Sequence, residues 1–169
     1  MSDVIPDLGL PTAIIAGRAV PILDKPYTTI VRAIEEAGDG ALAMESFHGR
    51  SVHSACAEHF CGSVHCIAGW ATRLCGKQGF ELERDTSDVA HAASLILMAS
   101  SPLQPPDFMP EDYANKDDYK DEDEYLELVN IYAMDGLRWL ADREAEIKRP
   151  FDDTTRAADN VLAKAKGAV

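Results

Sequence analysis

The chain has 169 residues, a length that fits a single domain. Apolar residues make up 46% and charged residues 27% of it, which is typical of a globular protein and not of a disordered or fibrous one. With 16 basic and 29 acidic residues the net charge is −13, which argues against binding to nucleic acid and favours a partner protein with a basic surface.

The N-terminal sequence carries no clear targeting or membrane signal. No apolar run approaches the ~20 residues that a membrane-spanning helix needs. Asp3 and Asp7 occur where a secretory signal would have basic residues. We therefore expect a cytoplasmic protein that does not bind membranes, in which cysteines are reduced. Metal ligation or burial then explains the four cysteines better than a disulfide framework does.

The first predicted elements are an arm and a helix. Residues 1–25 are interrupted by prolines and predict an irregular N-terminal arm with one short strand near "AIIAG". The segment "PYTTIVRAIEEAG" predicts a helix, with Pro26 in the first turn and Gly38 at the end. Its Ile30, Ile34 and Ala37 share the face that should enter the core.

Three more helices are predicted before the acidic part of the chain. Ser51 can cap a short helix in "VHSACAEHF", and Ser63 can cap a second in "VHCIAGWATRLCG". The second has an apolar stripe made of Ile67, Trp70, Ala71 and Leu74. A third helix, "SDVAHAASLILMAS", places Val89, Ala93 and Ile96 on one face and ends at "SSPLQPP", because proline cannot continue a helix.

An acidic loop is predicted over residues 102–124. Between Asp107 and Glu127 there are ten acidic residues and two lysines, a local charge of −8, so this stretch should be solvated. The longest helix, "EYLELVNIYAMDGLRWLADREAEIK", follows and should end before Pro150. Its expected core side consists of Val129, Ala133, Leu137, Leu140 and Ala141.

Strand-like alternation is nearly absent, so the pattern predicts an all-α fold. We expect a single compact domain of five to six helices that covers residues 26–150. Residues 151–169 predict a short C-terminal helix or tail.

The stretch "VHSACAEHFCGSVHCIAGWATRLCG" contains all four cysteines and leaves three interpretations open. A structural zinc ion needs three or four nitrogen or sulfur ligands, yet the Cys56-x4-Cys61-x4-Cys66 spacing lacks the close pair of a zinc finger. A catalytic thiol would use Cys66, whose expected place in the first turn of a helix lowers its pKa, with His65 as base. In the third interpretation the cysteines are small buried hydrophobic residues.

The segment "CGSVHCIAGWATRLCGKQGFELE", with "LAMESFH" before it and "AASLILMASS" after it, resembles a family of small prokaryotic and phage proteins. Their shared pattern is roughly C-G-T-x-H-C-x-A-G-W-x-x-x-L-A-G, followed by an alanine-rich helix. The resemblance covers Leu42 to Met109 and is specific between Cys61 and Trp70. It implies a phage or bacterial source and carries no activity. The matching positions that could bind a metal are His48, Cys61, His65 and Cys66.

The favoured hypothesis is an acidic phage or bacterial accessory protein, not an enzyme, that binds another protein and needs no cofactor. One form of it inhibits a nucleic-acid-binding or host-defence protein by presenting carboxylates as a DNA mimic. The expected contact residues are Asp117, Asp118, Asp121, Glu122, Asp123 and Glu124. The first alternative is a module held by one zinc ion at Cys61 and Cys66. The second is a thiol enzyme that uses Cys66 and His65.

The zinc hypothesis makes a direct prediction. Native mass spectrometry of untagged protein should show the mass of one zinc ion, which a strong chelator removes together with part of the thermal stability. The bare mass of the chain before chelation would contradict it and leave the cysteines as packed residues.

Overall fold

The computed structural model describes residues 5–38, 40–44 and 65–147. The regular elements of these ranges are β1 (Thr12–Ile15), β2 (Arg18–Pro21), α1 (Pro26–Ala37), α2 (Ile67–Leu74), α3 (Gly76–Thr86), α4 (Val89–Ser100) and α5 (Glu122–Glu146). Two 3-10 turns, Pro110–Asp112 and Lys116–Asp118, lie in the acidic loop. The protein is therefore mainly helical, but the hairpin corrects the prediction of an all-α fold. The predicted helix in "VHSACAEHF", the cap Ser63, Pro150 and the tail 151–169 lie outside the described residues.

The N-terminal arm contains a hairpin in place of the expected irregular chain with one strand. β1 and β2 pair antiparallel, from Thr12 opposite Pro21 to Ile15 opposite Arg18. Ala16 and Gly17 form the turn, and both have a positive φ (49° and 79°), as two-residue hairpin turns require. A two-residue turn built from Ala-Gly is a weak sequence signal, which explains why the second strand was missed.

The arm is fastened to the start of α3 by backbone and amide hydrogen bonds. Lys77 donates its backbone N–H to the carbonyl of Pro6 (2.9 Å). The Gln78 side chain pairs with the backbone of Leu10, accepting its N–H (2.7 Å) and donating to its carbonyl (3.0 Å). A Cβ at Gly76 would lie 2.4 Å from the Pro6 carbonyl oxygen, so this contact depends on glycine.

Helix α1 matches its prediction, with Pro26 at the first position and Gly38 just after the end. Ile30 and Ile34 are buried as expected, whereas Ala37 is exposed because the last turn of the helix extends beyond the core. The residue before the helix, Lys25, has left-handed backbone geometry (φ 46°) and provides no side-chain cap. The free N–H groups of the first turn therefore need an acceptor from elsewhere.

That acceptor is Glu144, near the end of α5. Its carboxylate accepts the backbone N–H of Thr28 (3.0 Å), the Thr28 hydroxyl (3.0 Å) and, at a longer 3.5 Å, the N–H of Tyr27. Glu144 is buried, with 5% of its surface exposed. A negative charge at a helix N-terminus is also favoured by the helix dipole. One side chain thus caps α1 and joins it to α5.

Helices α2 and α3 meet at Cys75 without a connecting loop. Helix α2 begins at Ile67 and not at Val64 as the sequence suggested, and Cys66 occupies its N-cap position. Helix α3 was not predicted, because Gly76 and Gly79 weaken the helix signal. Gly79 has a packing role: a Cβ there would lie 2.0 Å from the carbonyl oxygen of Thr72 in α2.

Helix α4 is apolar on two faces and separates two hydrophobic clusters. Val89, Ala93 and Leu97 face the main core, which α1, α2 and α5 complete. Ala92, Leu95 and Ile96 belong to a second cluster under the hairpin and α3. The predicted single face of Val89, Ala93 and Ile96 is therefore divided between the two clusters. Asp88 caps the helix, accepting the N–H groups of Ala90 (2.8 Å) and His91 (3.2 Å).

Helix α5 has the predicted core side. Val129, Ala133 and Leu137 are fully buried and Leu140 nearly so, while Ala141 is half-buried. The loop before it is anchored from the main core: the Tyr27 hydroxyl lies within reach of the carbonyls of Leu103 (3.4 Å) and Gln104 (3.3 Å). No helix of the described ranges is both long and apolar enough to cross a membrane.

The Glu144 cap yields a prediction of stability. Glu144→Ala removes the acceptor from three donors of α1 in a buried place, so we expect the free energy of unfolding to fall by about 2–3 kcal/mol. Glu144→Gln keeps one acceptor oxygen and should have a smaller effect. Urea denaturation followed by circular dichroism measures both.

Glu146→Ala is the matched control, because Glu146 is exposed and pairs only with Arg143 in the described structure. Exposed ion pairs contribute roughly 0–1 kcal/mol, so this variant should stay close to wild type. An equal loss in the Glu144→Ala and Glu146→Ala variants would contradict the assigned role of Glu144.

Candidate functional site

The described part of the cysteine-rich stretch is a corner formed by His65 and Cys66 at the start of α2. His65 pairs with the segment around Leu42 in a short parallel bridge. It donates its N–H to the Ala41 carbonyl (3.0 Å) and accepts the N–H of Ala43 (3.1 Å). The Trp70 indole donates to the same Ala41 carbonyl (3.0 Å). These bonds fix the entry of the chain into α2.

Cys66 is a buried N-cap and not an exposed nucleophile. No part of its surface is accessible to solvent, and its Sγ accepts the backbone N–H of Gly69 (3.4 Å). Burial raises the pKa of the Cys66 thiol to about 11, and this outweighs the N–H groups that favour the thiolate. The helix start favours the thiolate as expected, but burial has the larger effect, so the net shift of the pKa is upward and not downward. A protonated, enclosed thiol does not support the thiol-enzyme alternative.

His65 packs beside Trp70 and Arg73. Its ring is edge-on to the Trp70 ring, with centroids 5.2 Å apart and planes at 82°. The Nε2 atom lies 3.4 Å from a guanidinium nitrogen of Arg73, which also lies over the Trp70 ring. A neighbouring guanidinium is an unfavourable environment for a metal cation on that side of the imidazole.

The predicted zinc ligands are only partly described. His48 and Cys61 lie outside the described residues, while His65 and Cys66 are neighbours in the corner. Within the described ranges, no three histidine, cysteine or acidic side chains come together as a metal site. The zinc site with His48, Cys61, His65 and Cys66 stays a prediction.

The six predicted contact carboxylates lie together at the start of α5. Asp117 and Asp118 belong to a 3-10 turn, and Asp121 caps α5 by accepting the N–H of Asp123 (2.8 Å). All six predicted contact residues are exposed: Asp117, Asp118, Asp121, Glu122, Asp123 and Glu124. Among the described residues, Glu122 alone of these six has an ion pair, with Lys116.

The loop that carries this acidic surface makes contacts within itself and with the hydrophobic core. Tyr113 donates its hydroxyl to the Asp107 carbonyl (2.7 Å), and Phe108 is buried against the core. The Tyr119 and Tyr125 rings lie 5.8 Å apart. Lys116 and Lys120 line an open depression with Asp117, Asp121 and Glu122, so part of the negative charge is offset there.

Sequence reasoning missed a second feature, the outward side of α5. Trp139 is 58% exposed, and Ile131 and Tyr132 are each 46% exposed. The signal was available, because at 100° per residue Trp139 lies about 200° around the helix from the core residue Leu137. We call Ile131, Tyr132 and Trp139 the α5 strip.

Comparison with known proteins adds no relative: no family model, curated protein or solved structure matches this chain. The resemblance of Cys61 to Trp70 to a phage and bacterial family therefore stays a prediction.

The buried thiols predict slow alkylation and alkaline instability. At neutral pH, iodoacetamide should leave Cys66 and Cys75 unmodified in the folded protein, because burial raises both pKa values, to about 11 and about 12. Peptide mapping by mass spectrometry separates them from the other cysteines. The same protein unfolded in urea is the control, and both residues should react there. Fast native modification of Cys66 would restore the thiol-enzyme alternative.

The pH dependence of the free energy of unfolding follows from the upward shift of the Cys66 pKa. Folding favours the neutral thiol, so its contribution is fully present below pH 9.0, the ordinary value, and is lost as pH rises through about 11. For Cys66 this corresponds to about 3 kcal/mol of unfolding free energy. A Cys66→Ala variant should lose less stability than wild type between these pH values.

Proposed function

We propose that this protein acts by binding another protein that has a basic surface, through the carboxylates at the start of α5. The observation that supports the proposal is the exposed acidic surface itself: six carboxylates lie at one place, with an ion pair to Glu122 alone among the described residues. Asp121 has a local role as a helix cap, whereas the side-chain carboxylates of Asp117, Asp118 and Glu124 have no hydrogen bond or ion pair in the described structure.

A concentration of like charge raises the free energy of a folded protein through self-repulsion. The residues from Asp107 to Glu127 carry −8 of the net charge of −13. A basic partner removes this repulsion on binding and is drawn in by the long-range attraction. Nucleic acid and acidic membrane surfaces are repelled by the same field, which leaves a basic protein as the proposed partner.

A narrower form of the proposal is inhibition of a nucleic-acid-binding protein. Such proteins expose lysine and arginine where they contact phosphates. A surface of carboxylates can occupy that site in place of the phosphate backbone. Binding of the partner to this protein and to duplex DNA should then be mutually exclusive.

The test compares two variants of equal charge. The surface variant carries Asp117→Asn, Asp118→Asn, Asp123→Asn and Glu124→Gln, which spares the cap Asp121 and the paired Glu122. The control variant carries Asp7→Asn, Glu36→Gln, Glu81→Gln and Asp85→Asn, in the N-terminal arm and on α1 and α3, and leaves Glu35 paired with Arg138 of α5. Both change the net charge from −13 to −9, since four acidic residues are removed.

Immobilised wild type and control variant should retain the same partner from a bacterial extract, and the surface variant should not. Retention should fall steeply between about 50 mM and 300 mM salt, because the Debye length shortens over this range. Duplex DNA should release the purified partner if the narrower form holds. Equal retention by the surface and control variants would overturn the proposal.

A further inference from the structure

The α5 strip contains a notch between two exposed aromatic rings. Tyr132, Gly136 and Trp139 recur at i, i+4 and i+7, so they lie along one stripe of the helix. The Tyr132 and Trp139 side chains are 46% and 58% exposed. Beyond its chain neighbours and the helix backbone, a Cβ at Gly136 would meet no atom of the described ranges within 4 Å. The notch is therefore open to a side chain from outside α5.

Glycine is an unfavourable residue for this position unless another element packs there. In a helix interior it is destabilising relative to alanine. Gly136 has neither a positive φ nor a close neighbour among the described residues that would require glycine. A glycine lets a second helix approach closely, as Gly79 does where α3 packs on α2. A helix packed over the notch would account for Gly136.

The charges around the strip do not select its occupant. Arg138 pairs with Asp135 (3.7 Å) and with Glu35 (3.1 Å). Arg143 pairs with Glu146 (3.4 Å). Positive and negative groups thus alternate around the strip and largely balance. Shape, apolar pattern and chain connection must identify the occupant instead.

The chain that follows α5 has a matching apolar stripe. Four apolar residues of the predicted C-terminal helix recur at i, i+3, i+4 and i+7: Ala158, Val161, Leu162 and Ala165. These positions span about 10 Å of a helix, compared with about 12 Å from Ile131 to Trp139. An isolated helix shorter than about 15 residues is marginal in water. The predicted helix therefore needs a surface against which its stripe can pack.

A short connection joins α5 to this predicted helix, residues 154–166. Ile147 has extended backbone geometry (φ −75°, ψ 109°), so α5 ends at Glu146. Residues 147–153 follow, and Pro150 prevents one continuous helix. Connections of about two to eight residues join antiparallel helices in bundles. The connection therefore has the right length for residues 154–166 to return along α5.

An antiparallel return places the two apolar stripes opposite each other. Trp139 lies seven residues before the end of α5, and Val161 lies seven residues after Thr154. Since both helices rise by about 1.5 Å per residue, Trp139 and Val161 stand at the same height. Leu162 then falls between Trp139 and Gly136.

We infer that residues 154–166 fold back as a helix antiparallel to α5 and cover the α5 strip. Val161 and Leu162 pack against the Trp139 ring and fill the notch beside it. The strip is thus an internal surface of this protein and not a site for a partner. The inference does not rest on the proposed function, because it uses the middle of α5 and not its acidic first turn.

A second copy of the chain fits the strip less well. Three side chains that are about half exposed offer roughly 300 Å². Two such strips supply about half of the 1,200 Å² or so that a stable dimer buries in total. A segment joined by a short connection has an effective concentration in the millimolar range, so a small contact is sufficient. The covalent connection therefore favours the chain's own segment.

The test measures how strongly acrylamide quenches the fluorescence of Trp139 in the full chain. The protein has two tryptophans, and Trp70 is 3% exposed, so it contributes a low and constant background. Val161→Gln with Leu162→Gln, which we call the stripe variant, removes the apolar stripe and retains helix propensity. We expect its quenching constant to be at least about twofold larger than that of wild type, because the segment no longer covers Trp139.

The matched control variant is Asn160→Gln with Ala163→Gln, on the opposite side of the predicted helix. It should have the quenching constant of wild type. In a Trp139→Phe background the stripe substitutions should leave quenching unchanged, since only Trp70 then fluoresces. Urea unfolding followed by circular dichroism confirms that each variant is folded.

Gly136→Leu tests the notch separately. Leucine has a higher helix propensity than glycine, so on an open strip this change would raise the urea midpoint of unfolding. Under a packed segment the leucine displaces Val161 and Leu162. We therefore expect a lower urea midpoint together with stronger quenching of Trp139.

Three results would overturn the inference. One is an equal quenching constant in the stripe variant and the control variant. Another is a higher urea midpoint for Gly136→Leu with unchanged quenching. The third is a wild-type quenching constant that rises on dilution, which would assign the strip to a second copy of the chain.

Discussion

The double burial of α4 is the constraint on which the rest of the described structure depends. A helix that is apolar on both sides must be covered on both sides. On one side α1, α2 and α5 close the main core over Val89, Ala93 and Leu97. On the other, the hairpin and α3 cover Ala92, Leu95 and Ile96. The arm that the sequence suggested was irregular is thus a necessary layer of the protein.

This arrangement determines which surfaces remain free for binding. Helix α4 uses both of its faces internally, and α2 is buried along its first six residues. Helix α5 is different, because within the described ranges it packs only with its core side and presents the opposite side to solvent. Its first turn extends into the acidic loop, where Phe108 and Tyr27 hold the chain against the core. Among the helices of the described ranges, α5 therefore combines a fully solvent-facing side with an acidic first turn.

Periodicity was sufficient to predict α1 and α5, because the apolar residues of each recur on one face, and Pro26 marks the start of α1. For α4 the sequence predicted the helix but gave it one buried face where the structure has two. Periodicity failed for α3, whose Gly79 is there for close packing on Thr72 and lowers the helix signal. It also failed for the hairpin, whose Ala-Gly turn lacks the usual Asn or Asp. Neither feature has a hydrophobic period to reveal it, because Gly79 is set by close packing of adjacent helices and the turn by the backbone geometry of two residues.

The candidate site shows the same division. The position of the six carboxylates could be read from the sequence, because a dense run of like charge must be solvated. The protonation state of the Cys66 thiol could not be read from the sequence, because its pKa depends on burial by residues far away in sequence. The α5 strip was readable in principle, since the residues opposite a predicted core face are known once that face is assigned.

The cap on α1 has a consequence for the order in which the protein is made. Tyr27 and Glu144 are 117 positions apart in the chain, yet the first turn of α1 relies on that carboxylate. A ribosome releases α1 long before it synthesises the end of α5. The N–H groups of Tyr27 and Thr28 therefore bond to water until nearly all of the described chain has left the ribosome. The side-chain cap of α1 is therefore among the contacts that form only after the end of α5 has been synthesised.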